Sequence, residues 1–341
     1  MTPRERVIAA IEFRSPDGVP FLHAAFPGVL WRYGEAVFDL WRQYPDDFGD
    51  REFFIPPPPP SLTGFEQYSD EWGCVWRRII GWSAGEVVRP PLADWGQLAD
   101  YQFPPPAASK HFNEAFRPDL FAVGPLPADR DWYALYGWFD LFERMQFLRG
   151  TKNLLMDIAD DELRLHELAD RIVERNLAML DRYIALGVDG VFFGDDWGTQ
   201  TGPLISPRRW REFFKPRYRR MFKPLQDAGR HIFFHSCGNT AAFWDDLIEL
   251  GVSVLNIQHS ILPRSLLKEK LAGRICICSD PGRQQVMPFG SPDEVKRHIR
   301  EIVEVFASPR GGLIQRGELA PDWPLENCRA MLETFAEFRP T

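Results

Sequence analysis

The chain of 341 residues carries 45% hydrophobic and 26% charged side chains, the proportions of an ordinary globular protein, which excludes a disordered chain, a collagen-like repeat and a purely helical rod. Forty basic against 48 acidic residues give a formal net charge of −8, so a nucleic-acid backbone is not an expected partner. The 5 cysteines are scattered and do not form a secreted disulfide framework, while 30 prolines and 12 tryptophans point to fixed loops and aromatic-walled clefts.

Met1 to Arg6 reads at once as a polar helix and not as the apolar core of a signal peptide. No apolar run long enough to span a bilayer follows, so a cytoplasmic protein without membrane contact is expected. Asp17-Gly18 turns into a first strand over Val19–His23, followed by a helix over Trp31–Tyr44. From residue 53 to 106 the pattern changes. Proline runs at 56–60 and 104–106 bracket Asp70-Glu71-Trp72-Gly73-Cys74-Val75-Trp76-Arg77-Arg78, a β-rich stretch with a hairpin around Gly81. This stretch is expected as an insertion within one domain spanning residues 1–341.

Beyond Leu120 short apolar runs alternate with amphipathic helices, the signature of parallel βα units. The expected strands are Leu120–Val123, Gly190–Phe193, His231–Phe234, Ser253–Ile257, Ile275–Cys278 and Gly312–Gln315. The expected helices are Asp161–Leu186, Pro207–Ala228, Ala241–Leu250, Pro292–Phe306 and Pro324–Phe338, several opening with a capping side chain before proline. An eighth strand is expected near Phe53–Ile55 or Leu154–Ile158. A single (β/α)8 barrel of the TIM type closes such a set without an exposed edge. An open doubly wound sheet is the alternative, but no G-x-G-x-x-G or Walker A stretch follows a strand.

In a barrel, the residues just after each strand form the functional face. These ends read His23, then Asp195-Asp196-Trp197, His235-Ser236-Cys237-Gly238-Asn239, Gln258-His259, Asp280 with Arg283, and Arg316-Gly317-Glu318. His235 and Cys237, two apart at one strand end, pair an imidazole with a thiolate and suit Zn²⁺, with Glu318 or His259 as further ligands. The competing reading gives His235 a backbone carbonyl and makes Cys237 a small buried filler. Of Asp195 and Asp196, one is expected to cap a helix and the other to face the mouth as a base or substrate acceptor. His23, Trp197, Gln258, His259 and Arg283 are the expected substrate contacts. Trp72, Trp76, Trp138 and Trp197 offer either a stacking surface for a flat ligand or core packing. The arginines and lysines between Arg208 and Lys223 surround their helix and read as a solvated, salt-bridged face. Cys276 and Cys278 read as buried thiols, and no Ser-His-Asp order or nucleophile elbow is present.

The stretches Thr2-Pro3-Arg4-Glu5-Arg6, Asp17-Gly18-Val19-Pro20, Asp70-Glu71-Trp72-Gly73, Phe142-Glu143-Arg144 and Leu148-Arg149-Gly150 appear in that order. Asp195-Asp196-Trp197-Gly198, Ile205-Ser206-Pro207, His235-Ser236-Cys237-Gly238-Asn239 and Pro324-Leu325-Glu326-Asn327 follow them. With these the chain resembles the uroporphyrinogen decarboxylase superfamily, and more closely its methyltransferase-like members. The resemblance implies a TIM-type barrel. It further implies that His235 and Cys237 are zinc ligands and that a methyl group passes between a small substrate and the cobalt of a partner corrinoid protein. The distal cysteine of those methyltransferases has no counterpart here, where Gly317-Glu318 stands, so Glu318 is expected as the third ligand. The arginine-rich loop that holds a porphyrinogen in the true decarboxylases is also missing, because this chain reads Phe21-Leu22-His23-Ala24-Ala25-Phe26-Pro27-Gly28. A zinc methyltransferase is therefore the leading expectation. A metal-free decarboxylase using Asp195 or Asp196, and a non-catalytic ligand-binding barrel, are its alternatives.

Overall fold

The computed structural model describes residues 1–49, 64–79, 85–106 and 125–340. The expected strands at 53–55 and 120–123 and the turn at Gly81 lie outside these residues. Helix α1 (Pro3–Ile11) begins with a reciprocal cap, in which Thr2 accepts from the Glu5 N–H and the Glu5 carboxylate accepts from the Thr2 N–H. Strand β1 (Phe21–Ala25) is followed by α2 (Pro27–Tyr33) and α3 (Glu35–Gln43). The single helix expected there is broken at Gly34, whose φ of +55° favours a residue without a side chain.

The insertion forms a three-stranded antiparallel sheet of β2 (Phe65–Ser69), β3 (Val75–Ile79) and β4 (Glu86–Arg89). Tyr68, Trp76 and Val87 turn inward and pack on the main core. Next come β5 (Leu135–Phe139), α4 (Phe142–Arg149), α5 (Thr151–Asp160), α6 (Leu163–Leu186) and β6 (Gly190–Gly194). The segment Leu154–Ile158, considered above as a strand, is helical within α5. Leu154 and Ile158, four apart, are both buried on one helix face. Strand β5 was not expected, because Gly137 at φ +78° and a register shift between Tyr136 and Phe139 interrupt its alternation.

The second half continues with α7 (Pro207–Phe213), α8 (Lys215–Asp227), β7 (His231–Ser236), α9 (Trp244–Glu249), β8 (Val254–Ile257), α10 (Arg264–Lys270) and β9 (Cys276–Ser279). It ends with α11 (Val286–Phe289), α12 (Pro292–Phe306), β10 (Leu313–Leu319) and α13 (Leu325–Glu337). Ser206 and Ser291 cap α7 and α12 ahead of their prolines, as the Ser-Pro pairs imply. The basic residues of α7 and α8 pair with acids of their own helix, as Arg208 does with Glu212 and Lys223 with Asp227, or of neighbouring helices, as Arg217 does with Asp170 and Lys215 with Asp246 and Glu249.

Among the described residues, the main sheet has seven parallel strands in the order β1-β10-β9-β8-β7-β6-β5. The space between β1 and β5 is bridged by backbone bonds: Asp47 N–H donates to Phe21 O, and Tyr133 N–H donates to Asp47 O. Asp47 also accepts from the Phe21 N–H through its carboxylate and holds Arg6 and Arg339 there. Successive side chains point to opposite faces of a strand. Leu22, Phe192, Phe233, Val254, Cys276, Cys278 and Ile314 fill the interior, while Val191, Phe193, Ile232, Phe234, Leu255 and Ile277 face the helices. This parity decides which residues beyond the strand ends point into the mouth.

Candidate metal centre at the barrel mouth

Asp195 and Asp196 leave β6 on opposite faces. Asp195 is fully buried toward the helices, where it accepts the N–H groups of Leu141 and Glu143 at the start of α4 and the hydroxyl of Tyr218. Burial, and then the neighbouring Asp140, push its carboxyl up to about 7. It is the capping aspartate of the pair, although the helix it caps precedes it in the chain. Asp196 follows the inward parity and meets β7 at the mouth.

His235 points inward from β7, and Cys237 follows two residues later. Nε2 of His235 lies 3.3 Å from Sγ of Cys237 and 3.4 Å from Oδ1 of Asp196. One donor atom from each of Asp196, His235 and Cys237 falls within 4.8 Å of the others. A tetrahedral zinc shell, with Zn–N about 2.0 Å and Zn–S about 2.3 Å, places neighbouring donors roughly 3.3 to 3.6 Å apart. The two measured separations match that spacing.

The loops carrying these groups are locked together. Cys237 N–H donates to Asp196 Oδ1 at 2.8 Å, and Asn239 N–H donates to Thr199 O at 2.7 Å. Gly238 sits at φ +77°, and a Cβ there would lie 2.3 Å from the Gly198 carbonyl carbon, so only glycine permits the approach.

A polar chain runs behind His235. Its Nδ1 is 2.7 Å from Asn256 Oδ1, and Asn256 donates through Nδ2 to Cys278 O and to Asp280. Because the amide nitrogen is committed to two acceptors, the oxygen faces His235 and must receive its Nδ1–H. Nε2 is thereby the lone-pair nitrogen at the mouth, the arrangement a metal-ligating histidine needs. Asp280 is held in turn by Arg316, whose guanidinium keeps its carboxyl below the usual range against the pull of burial. Burial, reinforced by Asp196, pushes the Cys237 thiol well up. Without a cation the sulfur is a thiol, with Nε2 of His235 and the Asp196 carboxylate as the acceptors beside it.

Glu318 does not join the cluster. It points inward from β10 as expected, but Arg316 and Arg283 each hold its carboxylate at 2.5 Å. Two guanidiniums satisfy it, and the carboxylate found beside His235 and Cys237 is that of Asp196. His259 is also separate: it is buried beside Phe306 and His298. His23 has the outward parity of Phe21, bonds the Tyr44 carbonyl through Nε2 at 2.6 Å and stacks on Trp41. Trp197 is fully buried among Trp210, Tyr218, Phe234 and Phe243, so it is core and not a ligand surface. Gln258 does reach the cluster, with Nε2 3.2 Å from Cys237 Sγ and Oε1 accepting from Gly238 N–H.

Of three further groups beside the cluster, Trp138 was offered by the sequence as a stacking surface or core packing, whereas Asn256 and Glu143 went unnoticed as site residues. Trp138 packs 5.7 Å from the His235 ring and on Phe192, in space that Gly194 leaves for it. Asn256 stands out in hindsight as a polar residue at an inward position of an apolar strand. Burial and the carboxylates of Asp196, Asp195 and Asp140 hold Glu143 well above the usual carboxylate range, within electrostatic reach of Cys237. Nearby, a cavity of about 560 Å³ between the insertion sheet and the barrel is lined by Phe26, Phe65, Ile79, Arg283 and Trp323.

Fold and site together define a parallel α/β barrel with a metal-capable cluster at the C-terminal ends of its strands. The family model described as uroporphyrinogen decarboxylase (URO-D) matches residues 139–338, and the chain belongs to that family. Uroporphyrinogen decarboxylase of Thermus thermophilus is 28% identical over 182 residues, 52% of this chain and 50% of that protein. The methylated-thiol–coenzyme M methyltransferase of Methanosarcina mazei is 21% identical over 194 residues, 56% of this chain and 49% of that protein. The chain spans about half the length of the curated relatives it matches. In fold it is similar to a methyltransferase from Methanosarcina mazei, with a TM-score of 0.68 and 18% identity over 99% of both chains. Among the described residues no helix is long and apolar enough to cross a membrane.

Proposed function

We propose that the protein is a zinc-dependent methyltransferase of the cytoplasm, moving a methyl group between a small ether, thiol or amine and the cobalt of a corrinoid protein. The observation that carries this reading is the cluster of Asp196, His235 and Cys237, whose donor spacing and imidazole tautomer fit a zinc ion. When bound, zinc supplies Lewis acidity that lowers the pKa of a substrate thiol or withdraws charge from an ether oxygen.

The chain's own groups prepare the rest. Asn256 fixes the His235 ring, and Gln258 orients the Cys237 sulfur by donating to it. Glu143, whose carboxyl is pushed well above the usual range by burial and by Asp196, Asp195 and Asp140, is the group we assign to supply a proton to a departing oxygen or nitrogen. Trp138 walls the site and excludes water from one side. The absence of arginine from residues 21–28 favours methyl transfer over decarboxylation of a polycarboxylate.

The test supplies methylcobalamin as methyl donor and coenzyme M or another small thiol as acceptor, following loss of the methylcobalamin absorbance. The expected result is turnover by zinc-loaded protein that disappears with a chelator and in Cys237→Ala. Decarboxylation of a carboxylated substrate by metal-stripped protein, unchanged in Cys237→Ala, would establish the lyase reading instead.

A further inference from the structure

His259 is a buried polar group that the reaction above leaves unused. It opens the single 3-10 turn His259–Ile261 after β8 and is 5% exposed. Its ring meets Phe306 edge-on at 5.7 Å and lies nearly parallel to His298 at 6.5 Å. One ring nitrogen is hydrogen-bonded to the backbone of Asp280, whereas Nε2 is buried with no partner among the described residues. Burial, and then His298, push this imidazole down to about 4. At neutral pH Nε2 is therefore a lone pair awaiting a donor.

A cavity of about 340 Å³ is lined by His259 together with Leu262, Leu267, Val286, Ile302 and Phe306. Its size is that of a small-ligand pocket; Ser260, Gln284 and Gln285 also line it, and the unpartnered nitrogen of His259 is the buried acceptor of the wall that can fix a ligand's orientation. The lining contains none of Asp196, His235 or Cys237, so the cavity is distinct from the metal cluster. A metal ion does not suit it, because Nε2 of His298 already accepts the Gly282 N–H at 3.0 Å and a single imidazole remains. An anion does not suit it either, since the orphan atom accepts and does not donate. The carboxylate in the wall, Glu301, is already paired with Arg264.

We propose that this cavity binds a small neutral molecule with an apolar body and a hydroxyl group, the O–H donating to Nε2 of His259. The wall between this cavity and the one beside the insertion sheet is the segment 282–286, and Gln284 lines both. Arg283, which holds Glu318 at the mouth, belongs to that segment. A molecule bound here therefore rests against the back of the segment that carries Arg283.

Phenol and anisole are the probes, alike in their apolar body and different in the O–H. Calorimetric titration is combined with the ¹⁵N resonances of the histidine rings. Phenol should bind at least about tenfold more tightly than anisole and move the Nε2 resonance of His259. His259→Phe, which keeps the aromatic packing, should bind the two equally, with its fold checked by circular dichroism. Ile302→Trp, which fills the cavity, should bind neither while retaining the wild-type zinc content. Equal affinities in the wild type, an unmoved His259 resonance at the solubility limit of phenol, or undiminished preference for phenol in His259→Phe would each overturn the proposal. None of these outcomes depends on whether the protein transfers methyl groups.

Discussion

Oδ1 of Asn256 stands 2.7 Å from Nδ1 of His235, and this contact decides which ring nitrogen faces the mouth. Replacing Asn256 with Leu keeps the branched shape and removes the acceptor, so the ring loses its fixed tautomer. Zinc affinity should fall about 10- to 100-fold, the usual effect of losing such a partner. Competition with a chromophoric chelator measures it, and an unchanged affinity would show that the ring is oriented by other means.

Asp196 and Glu318 separate the two assignments of the third ligand. Asp196→Ala should lose most of the bound zinc, because one of three donors goes. Glu318→Gln should keep wild-type zinc, since that carboxylate serves Arg283 and Arg316. Elemental analysis after gel filtration compares them, and the reverse ranking would restore Glu318 as the ligand.

Zinc uptake should release protons. The half-buried Cys237 carries a thiol pushed well above the usual range, and a metal-bound sulfur is a thiolate. A pH indicator in weakly buffered solution should register close to one proton per zinc from this group. Zinc affinity should accordingly weaken as pH falls. Release that is the same in Cys237→Ala as in the wild type would contradict this.

The Asp195 carboxyl is pushed up to about 7 in the folded state, whereas an unfolded aspartate titrates near about 4. The native state therefore holds this proton more tightly. Its contribution to stability is complete below about pH 4 and is lost as pH rises through about 7. Asp195→Asn keeps an oxygen for the Leu141 and Glu143 N–H groups and cannot ionise. Its urea-unfolding free energy should vary less than the wild type's over that interval. Asp195→Ala should be less stable at every pH, by about 1 to 3 kcal/mol, because buried N–H groups lose their acceptor. Parallel pH profiles for the wild type and Asp195→Asn would contradict the assignment.

Trp197→Ala should cost about 3 to 5 kcal/mol, the range for emptying a large aromatic from a core. Its zinc content at low temperature should stay near that of the wild type. Loss of zinc with wild-type stability would return Trp197 to the site.

Much of the barrel was legible because a buried parallel strand leaves a short, nearly continuous apolar run, as in Phe192-Phe193 or Ile232-Phe233-Phe234. Strand β5 was not legible, since Gly137 and the register shift beside it erase the alternation. Leu154 to Ile158 reads equally as a strand or as one helix face, and the packing of α5 decides it. For the site, spacing along one strand found His235 and Cys237, because two residues apart is one face. Strand-end position alone did not separate Asp195 from Asp196, nor did it place His23 and Trp197, because parity and not position determines what faces the mouth. Glu318 had the right parity, but Arg316, two residues before it on the same strand face, and Arg283, from a different loop, capture it, and the second contact is one that no spacing encodes.

The most direct measurement is X-ray absorption at the zinc edge of the purified, zinc-loaded protein. One sulfur at about 2.3 Å together with nitrogen and oxygen at about 2.0 Å is the expected shell, with the sulfur absent in Cys237→Ser. A protein that retains no zinc after desalting, or a shell without sulfur in the wild type, would contradict the account.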